Sequence, residues 1–123
     1  MYILHSVKKN EFDKNSEYYG DESIKKFGFI HCSDLDNYYL VAPNFKDEKE
    51  ERVLLVIDTD KVIVPIKWEE NYNVKFPHIY GLLNVSAVVD ILPHLWSKDK
   101  TWIPNEELKK YLPNIKKDLY RKI

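Results

Sequence analysis

Two short strings in this chain carry side chains able to do chemistry: Gly28-Phe29-Ile30-His31-Cys32-Ser33 and Phe76-Pro77-His78-Ile79-Tyr80-Gly81. Each sets a histidine inside an apolar, strand-like run. Side chains on a strand alternate faces with a period of two, so Phe29, His31 and Ser33 share one face, as do Phe76, His78 and Tyr80. Each segment therefore offers an imidazole beside an aromatic ring and a hydroxyl. A polar group in a buried strand needs a partner or a ligand, which makes these two segments the expected walls of a site. The structural alternative for each histidine is a hydrogen bond to a neighbouring backbone carbonyl.

Three chemistries compete for these residues. The four histidines and Cys32 are the candidate metal ligands, but no pair has the short spacing of a zinc motif, so no metal is expected. A cysteine nucleophile has the same difficulty: on a strand Cys32 points away from His31, and nothing activates it. Its expected role is that of a small buried residue. A nucleotide or sugar site uses what is present. Aromatic rings stack on a base, imidazole and hydroxyl groups hydrogen-bond ribose, and a carboxylate stabilises an oxocarbenium-like transition state. Tyr80 and Phe29, His31 and Ser33, and Glu69 supply these groups; for Glu69 the commoner alternative is an exposed acid at a strand end.

The elements that must position them follow from pattern. Tyr2 to Val7 reads as an opening strand with His5 on the face of Ile3 and Val7, and a helix is expected over Lys8 to Lys14. Asp21 caps a helical turn to Lys26. Phe27 to Cys32 is the second strand. Ser33 then reads as the N-cap of a helix to about Phe45, with Leu35, Tyr38, Tyr39 and Ala42 at helical spacing and Pro43 ending or kinking it. Val53 to Ile57 is apolar on both faces, so it belongs at the centre of a sheet. Val62 to Glu69 is a strand interrupted by Pro65, Asn71-Tyr72-Asn73 a turn, Phe76 to Tyr80 a strand, and Ala87 to Leu92 a late strand. Trp102 to Leu108 begins a helix that Pro113 breaks, and Ile115, Leu119 and Ile123 mark a second, basic helix.

Composition bounds the rest. A chain of 123 residues, 44% hydrophobic, suits one core. A formal net charge of −1 argues against a dedicated nucleic-acid-binding surface. One cysteine excludes an intrachain disulfide and suits a reducing cytoplasm. The apolar run at Met1 to Val7 is too short for a signal core, and no run is long enough to span a membrane. With three glycines, neither a Walker loop nor a dinucleotide fingerprint is present.

The order of Ile3-Leu4-His5, the FIHCS string, Leu54 to Asp58, Trp68-Glu69, the FPHIYG string and Ala87-Val88-Val89 resembles the bacterial domain-of-unknown-function family 952. The resemblance spans about residues 1–94. It implies an ADP-ribosyltransferase-like α+β fold: a split, mostly antiparallel sheet with flanking helices and a cleft between its halves. The expected division is a domain over 1–96 and a helical extension over 97–123 packed on it. The resemblance further implies NAD as a candidate cofactor and attack on its nicotinamide–ribose bond. By position, His5 matches the polar residue of the first core strand, Ser33 or Tyr80 the mid-chain group, and Glu69 the late glutamate. Glu69 and His31 are thus the candidate catalytic pair, and His5, Phe29, Ser33, His78 and Tyr80 the candidate ligand contacts. The alternative is a non-catalytic module that holds a nucleotide-like ligand or a protein on the same fold.

Overall fold

The computed structural model of the protein describes residues 1–112. In chain order its elements are β1 (Tyr2–Lys8), β2 (Tyr18–Tyr19), α1 (Asp21–Phe27), β3 (Ile30–His31), β4 (Ser33–Asp34), α2 (Tyr38–Val41), β5 (Arg52–Asp58), β6 (Ile66–Asn71), β7 (Val74–Ile79), β8 (Leu83–Asn84), β9 (Val88–Pro93), β10 (Leu95–Trp96) and β11 (Trp102–Ile103), with short 3₁₀ turns between them. The architecture is mixed α+β, with mostly antiparallel sheets and few, short helices. A four-stranded sheet runs β4-β1-β5-β9 and a three-stranded sheet β3-β7-β6; β2 pairs with β8, and β10 with β11.

The central strand explains the frame. Val53 to Ile57 are all buried, so β5 has two apolar faces and needs cover on both. Burying each such side chain contributes roughly 1.5–3 kcal/mol. On one face Leu4, Leu54, Val56 and Leu92 pack with Tyr38, Trp102, Leu108 and Leu112. On the other Ile3, Val7, Leu55 and Ile57 pack with Ile30, Ile79 and Leu83. The big sheet is therefore sandwiched between α2 with the 3₁₀ turn Glu106–Tyr111 and the three-stranded sheet.

The two sheets are joined by one residue. Ile30 and His31 pair with Ile79 and His78 of β7, whereas Ser33 and Asp34 pair with Leu4 and Ile3 of β1. Cys32 is the point at which the extended chain changes sheets. Because β4 reaches only as far as Leu4, the β1 edge at His5 and Ser6 stays open toward the split.

Several elements differ from expectation. The helix expected over Lys8 to Lys14 is a single 3₁₀ turn, Lys9–Glu11, because β1 continues through Lys8 opposite Arg52. Phe27 ends α1 rather than starting a strand; Gly28, at φ 84°, takes the left-handed conformation that closes the helix and turns the chain into β3. The residue before α1 in the cap position is Gly20, not Asp21. Ser33 is a strand residue, its Oγ donating to the Asp34 carbonyl at 2.8 Å; the N-cap of α2 is Asn37, whose N–H donates to the Asp34 carboxylate at 3.1 Å. The helix expected to Phe45 is one α turn followed by a 3₁₀ turn from Ala42, where Pro43 removes an amide donor. The strand expected from Val62 begins after Pro65, at Ile66. Trp102 and Ile103 form β11, and the helical turn starts only at Glu106, capped by Asn105. The break expected at Pro113 and the basic helix beyond it lie outside the described residues. No helix among the described residues is long and apolar enough to cross a membrane.

Candidate functional site

The β3–β7 ladder sets His31 directly opposite His78, with ring centroids 5.3 Å apart. Ile30 and Ile79, one step back on the same ladder, point into the core and fix the register, since a one-residue slip would bury the imidazoles instead. Phe29 stacks flat on His78 at 4.3 Å and leans on His31 at 4.7 Å and on Tyr80 at 5.2 Å. Phe27 meets the His31 ring edge-on at 4.8 Å. The imidazoles are thus held by aromatic packing on the face away from the core.

Glu69 completes the group from the neighbouring strand. Its Oε1 accepts from His78 Nδ1–H at 2.9 Å and from the Tyr80 hydroxyl at 2.5 Å. These two donors hold the Glu69 carboxyl below the usual carboxylate range, and the same bond raises the Tyr80 phenol. With the His78 Nδ1 proton committed to Glu69, Nε2 of the neutral ring is an acceptor. Burial and the neighbouring His78 lower the pKa of His31.

A cavity of about 250 Å³ opens at the sheet split. His31, Cys32, Ser33 and His78 line it together with His5 and Ser6 of β1, Tyr38 and Val41 of α2, Asn44 and Phe45, and Asn71, Tyr72 and Phe76 of the β6–β7 hairpin. His31, His78 and Ser33 therefore share one hollow. Phe29, Glu69 and Tyr80 are not among its lining residues; they stand behind His78. The Glu69 side chain is 43% exposed.

His5 is placed differently from the other two histidines. Its Nδ1–H donates to the His31 carbonyl at 2.5 Å, and its Nε2 accepts from the Tyr19 hydroxyl at 2.7 Å. The carbonyl can only accept, which fixes the tautomer and leaves neither nitrogen vacant. Burial drops its pKa to about 4, so the ring is neutral. His94, on the opposite face of the big sheet, is also buried; its Nε2 is 2.8 Å from the Tyr38 hydroxyl, and burial brings its pKa to about 4. The Cys32 thiol is buried and pushed upward by desolvation, which leaves it unreactive. Among the described residues no group of three or more His, Cys, Asp or Glu side chains is arranged to hold a metal ion.

Among the cavity residues that the sequence did not single out for a site are Tyr38, Asn44, Phe45, Tyr72 and Ser6. Four of these come from helices and turns whose packing has no period to read. Tyr72 alone carried a local signal: a tyrosine between two asparagines in a tight turn.

The fold and site together define a split-sheet α+β protein with a histidine-lined cleft at the split. The chain matches the family described as protein of unknown function (DUF952) over residues 3–91, and it belongs to that family. No curated protein matches it. Among solved structures it is similar to the crystal structure of protein CC0527 from Caulobacter crescentus, at 24% identity and a TM-score of 0.72, over 83% of this chain and 93% of that one. The crystal structure of a double mutant of CC0527 gives the same values. The solution structure of CC0527 matches with a TM-score of 0.67 over 90% of this chain and 96% of that one, again at 24% identity. These likenesses establish the fold.

Proposed function

We propose that the cleft binds a ribose-bearing nucleotide of the NAD or ADP-ribose type and that His78 acts in it as a general base for ADP-ribosyl-transfer-like chemistry. The observation that supports this most is the Glu69–His78 pair beside the cavity: a carboxylate on Nδ1 orients the ring and leaves Nε2 as the accepting nitrogen. His31, exposed and with its pKa lowered, supplies a hydrogen-bonding nitrogen for ribose hydroxyls, and Ser33 lies beside it on the cavity wall. In the reaction the nicotinamide–ribose C–N bond breaks and nicotinamide leaves with the electron pair. An acceptor hydroxyl bonds to the anomeric carbon and gives its proton to His78 Nε2. Glu69 acts through His78 instead of facing the oxocarbenium directly, and His5 is a positioning residue that ties down the His31 backbone. Phe29 and Tyr80 hold His78 and Glu69 in place.

Calorimetric titration with NAD and ADP-ribose, alongside an assay for nicotinamide release, tests this. Both ligands are expected to bind, and His31→Ala is expected to weaken binding about tenfold or more while the protein stays folded. Absence of binding by both would remove the proposal. Binding without nicotinamide release would favour the second reading, a non-catalytic nucleotide-binding module, for which the exposure of Glu69 speaks.

A further inference from the structure

Tyr72 is the one bulky cavity residue held in a costly backbone conformation. Asn71 and Val74 pair in register at the end of the β6–β7 ladder, leaving Tyr72 and Asn73 as the two central residues of the hairpin. Their φ angles are 53° and 63°, the double left-handed geometry of a type I′ turn. Asparagine and glycine suit both positions; a tyrosine at the first is disfavoured by sterics. Nor does burial offset this, because Tyr72 is 52% exposed. Its ring meets Phe76 edge-on at 6.2 Å and lines the cavity. Phe45 lines the same cavity from a separate element, with the Arg52 guanidinium over its ring at 3.8 Å. Tyr80, the stacking ring expected from sequence, instead bonds Glu69 and has Lys67 over its face at 4.5 Å.

We infer that Tyr72 and Phe45 form a clamp for a planar heteroaromatic ring, so that the ligand enters with its ribose toward His31 and His78 and its ring between these side chains. The inference rests on the proposed nucleotide site and names the part of the ligand that site selects. The cavity volume, about 250 Å³, is slightly below the roughly 300–1,000 Å³ of drug-sized pockets, which suits one nucleotide half of an NAD- or ADP-ribose-type ligand with the other half lying outside the cavity. Stacking of a base on an aromatic side chain is strong enough to change affinity by about tenfold or more, and every base has a face to offer. Residues held in strained backbone conformations cluster at ligand clamps, and Tyr72 is such a residue with an exposed ring at a cavity.

The test compares nicotinamide mononucleotide, adenosine monophosphate and ribose 5-phosphate, which share ribose phosphate and differ in the ring, on the full chain and on Tyr72→Asn, Tyr72→Phe and Phe45→Leu. At least one ring-bearing ligand is expected to bind about tenfold tighter than ribose 5-phosphate, and which one identifies the ring. Tyr72→Asn should abolish that advantage and leave ribose 5-phosphate binding unchanged. Tyr72→Phe should retain it, and Phe45→Leu should reduce it. Upfield shifts of the ligand ring protons in NMR should disappear in Tyr72→Asn. The melting temperature of Tyr72→Asn should equal or exceed that of the parent, since asparagine suits the turn, so lost affinity cannot be ascribed to unfolding. Equal affinity for all three ligands, or an undiminished ring preference in Tyr72→Asn, overturns the clamp while leaving the nucleotide site standing. Failure of all three ligands to bind overturns both.

Discussion

Of the chemical residues in this chain, Glu69 has the position that separates catalysis from binding. It touches nothing in the cavity, yet it holds the tautomer of a histidine that does line it. If His78 is a general base, replacing Glu69 by Gln leaves the shape and removes the negative charge that faces His78 Nδ1. Turnover of NAD should then fall about 100-fold with KM changed far less, since general-base contributions run to about 10²–10⁴. A binding module predicts an unchanged dissociation constant for ADP-ribose in the same variant. Tyr80→Phe removes one donor from the same Oε1 and should cost much less than Glu69→Gln. Kinetics on the two variants, with melting temperatures as a control, decide the matter: equal turnover per folded molecule in Glu69→Gln and the parent would end the catalytic role.

At the scale of elements, the site depends on how the chain enters β3. Gly20, at φ 110°, precedes α1, and Gly28, at φ 84°, ends it. A Cβ at Gly28 meets nothing, so Gly28→Ala should cost only the left-handed penalty, about 1 kcal/mol. A Cβ at Gly20 would run into the Ile30 side chain, which is fully buried and adjacent to His31. Gly20→Ala should therefore cost about 2–3 kcal/mol and loosen the β3 end of the site. Urea denaturation midpoints of the two variants measure the difference, and equal losses would mean that the Ile30 contact is slack. The same region shows how far sequence carries. The Val53 to Ile57 run was legible because burial on both faces leaves an unbroken apolar string. The histidine strings were legible as extended segments, and the face each imidazole takes follows the alternation of side chains, whereas their juxtaposition comes from the pairing of β3 with β7. The helix from Ser33 was not: its helical spacing is real, yet the open edge of β1 captures Ser33 and Asp34 first, and Pro43 limits what remains to one turn. Pairing with a distant strand is a tertiary event to which local periodicity is blind. The hydrogen-bond partners of His5 were not legible for the same reason, since the His31 carbonyl and the Tyr19 hydroxyl come from residues brought near only by the fold.

For the whole molecule, two buried neutral histidines on opposite faces of one sheet make stability depend on pH. His5 sits under the three-stranded sheet and His94 under α2, and burial lowers each from the ordinary 6.5 to about 4. The bond to the His31 carbonyl pulls His5 back upward, but His31 and Arg52 push it down again, and Arg52 also lowers His94. Among the described residues no neighbouring negative charge offsets the burial of either ring. Between these two values the unfolded chain takes up a proton at each ring and the folded chain does not. Stability is then fully present above pH 6.5 and is lost progressively as the pH falls toward about 4. The His5 contribution alone is on the order of 3 kcal/mol, a substantial fraction of the roughly 5–15 kcal/mol of a small domain. Since the two rings serve the two cores that share β1, β5 and β9, both cores should fail in one transition. Urea midpoints at pH 7, 5.5 and 4.5 are expected to fall steadily, with tryptophan fluorescence, which reports the α2 side through Trp96 and Trp102 beside His94 and the three-stranded sheet through Trp68, coinciding with far-ultraviolet circular dichroism. His5→Gln should flatten the slope by about half in exchange for lower stability at pH 7. A midpoint independent of pH over this range would mean that water reaches both imidazoles in the folded state.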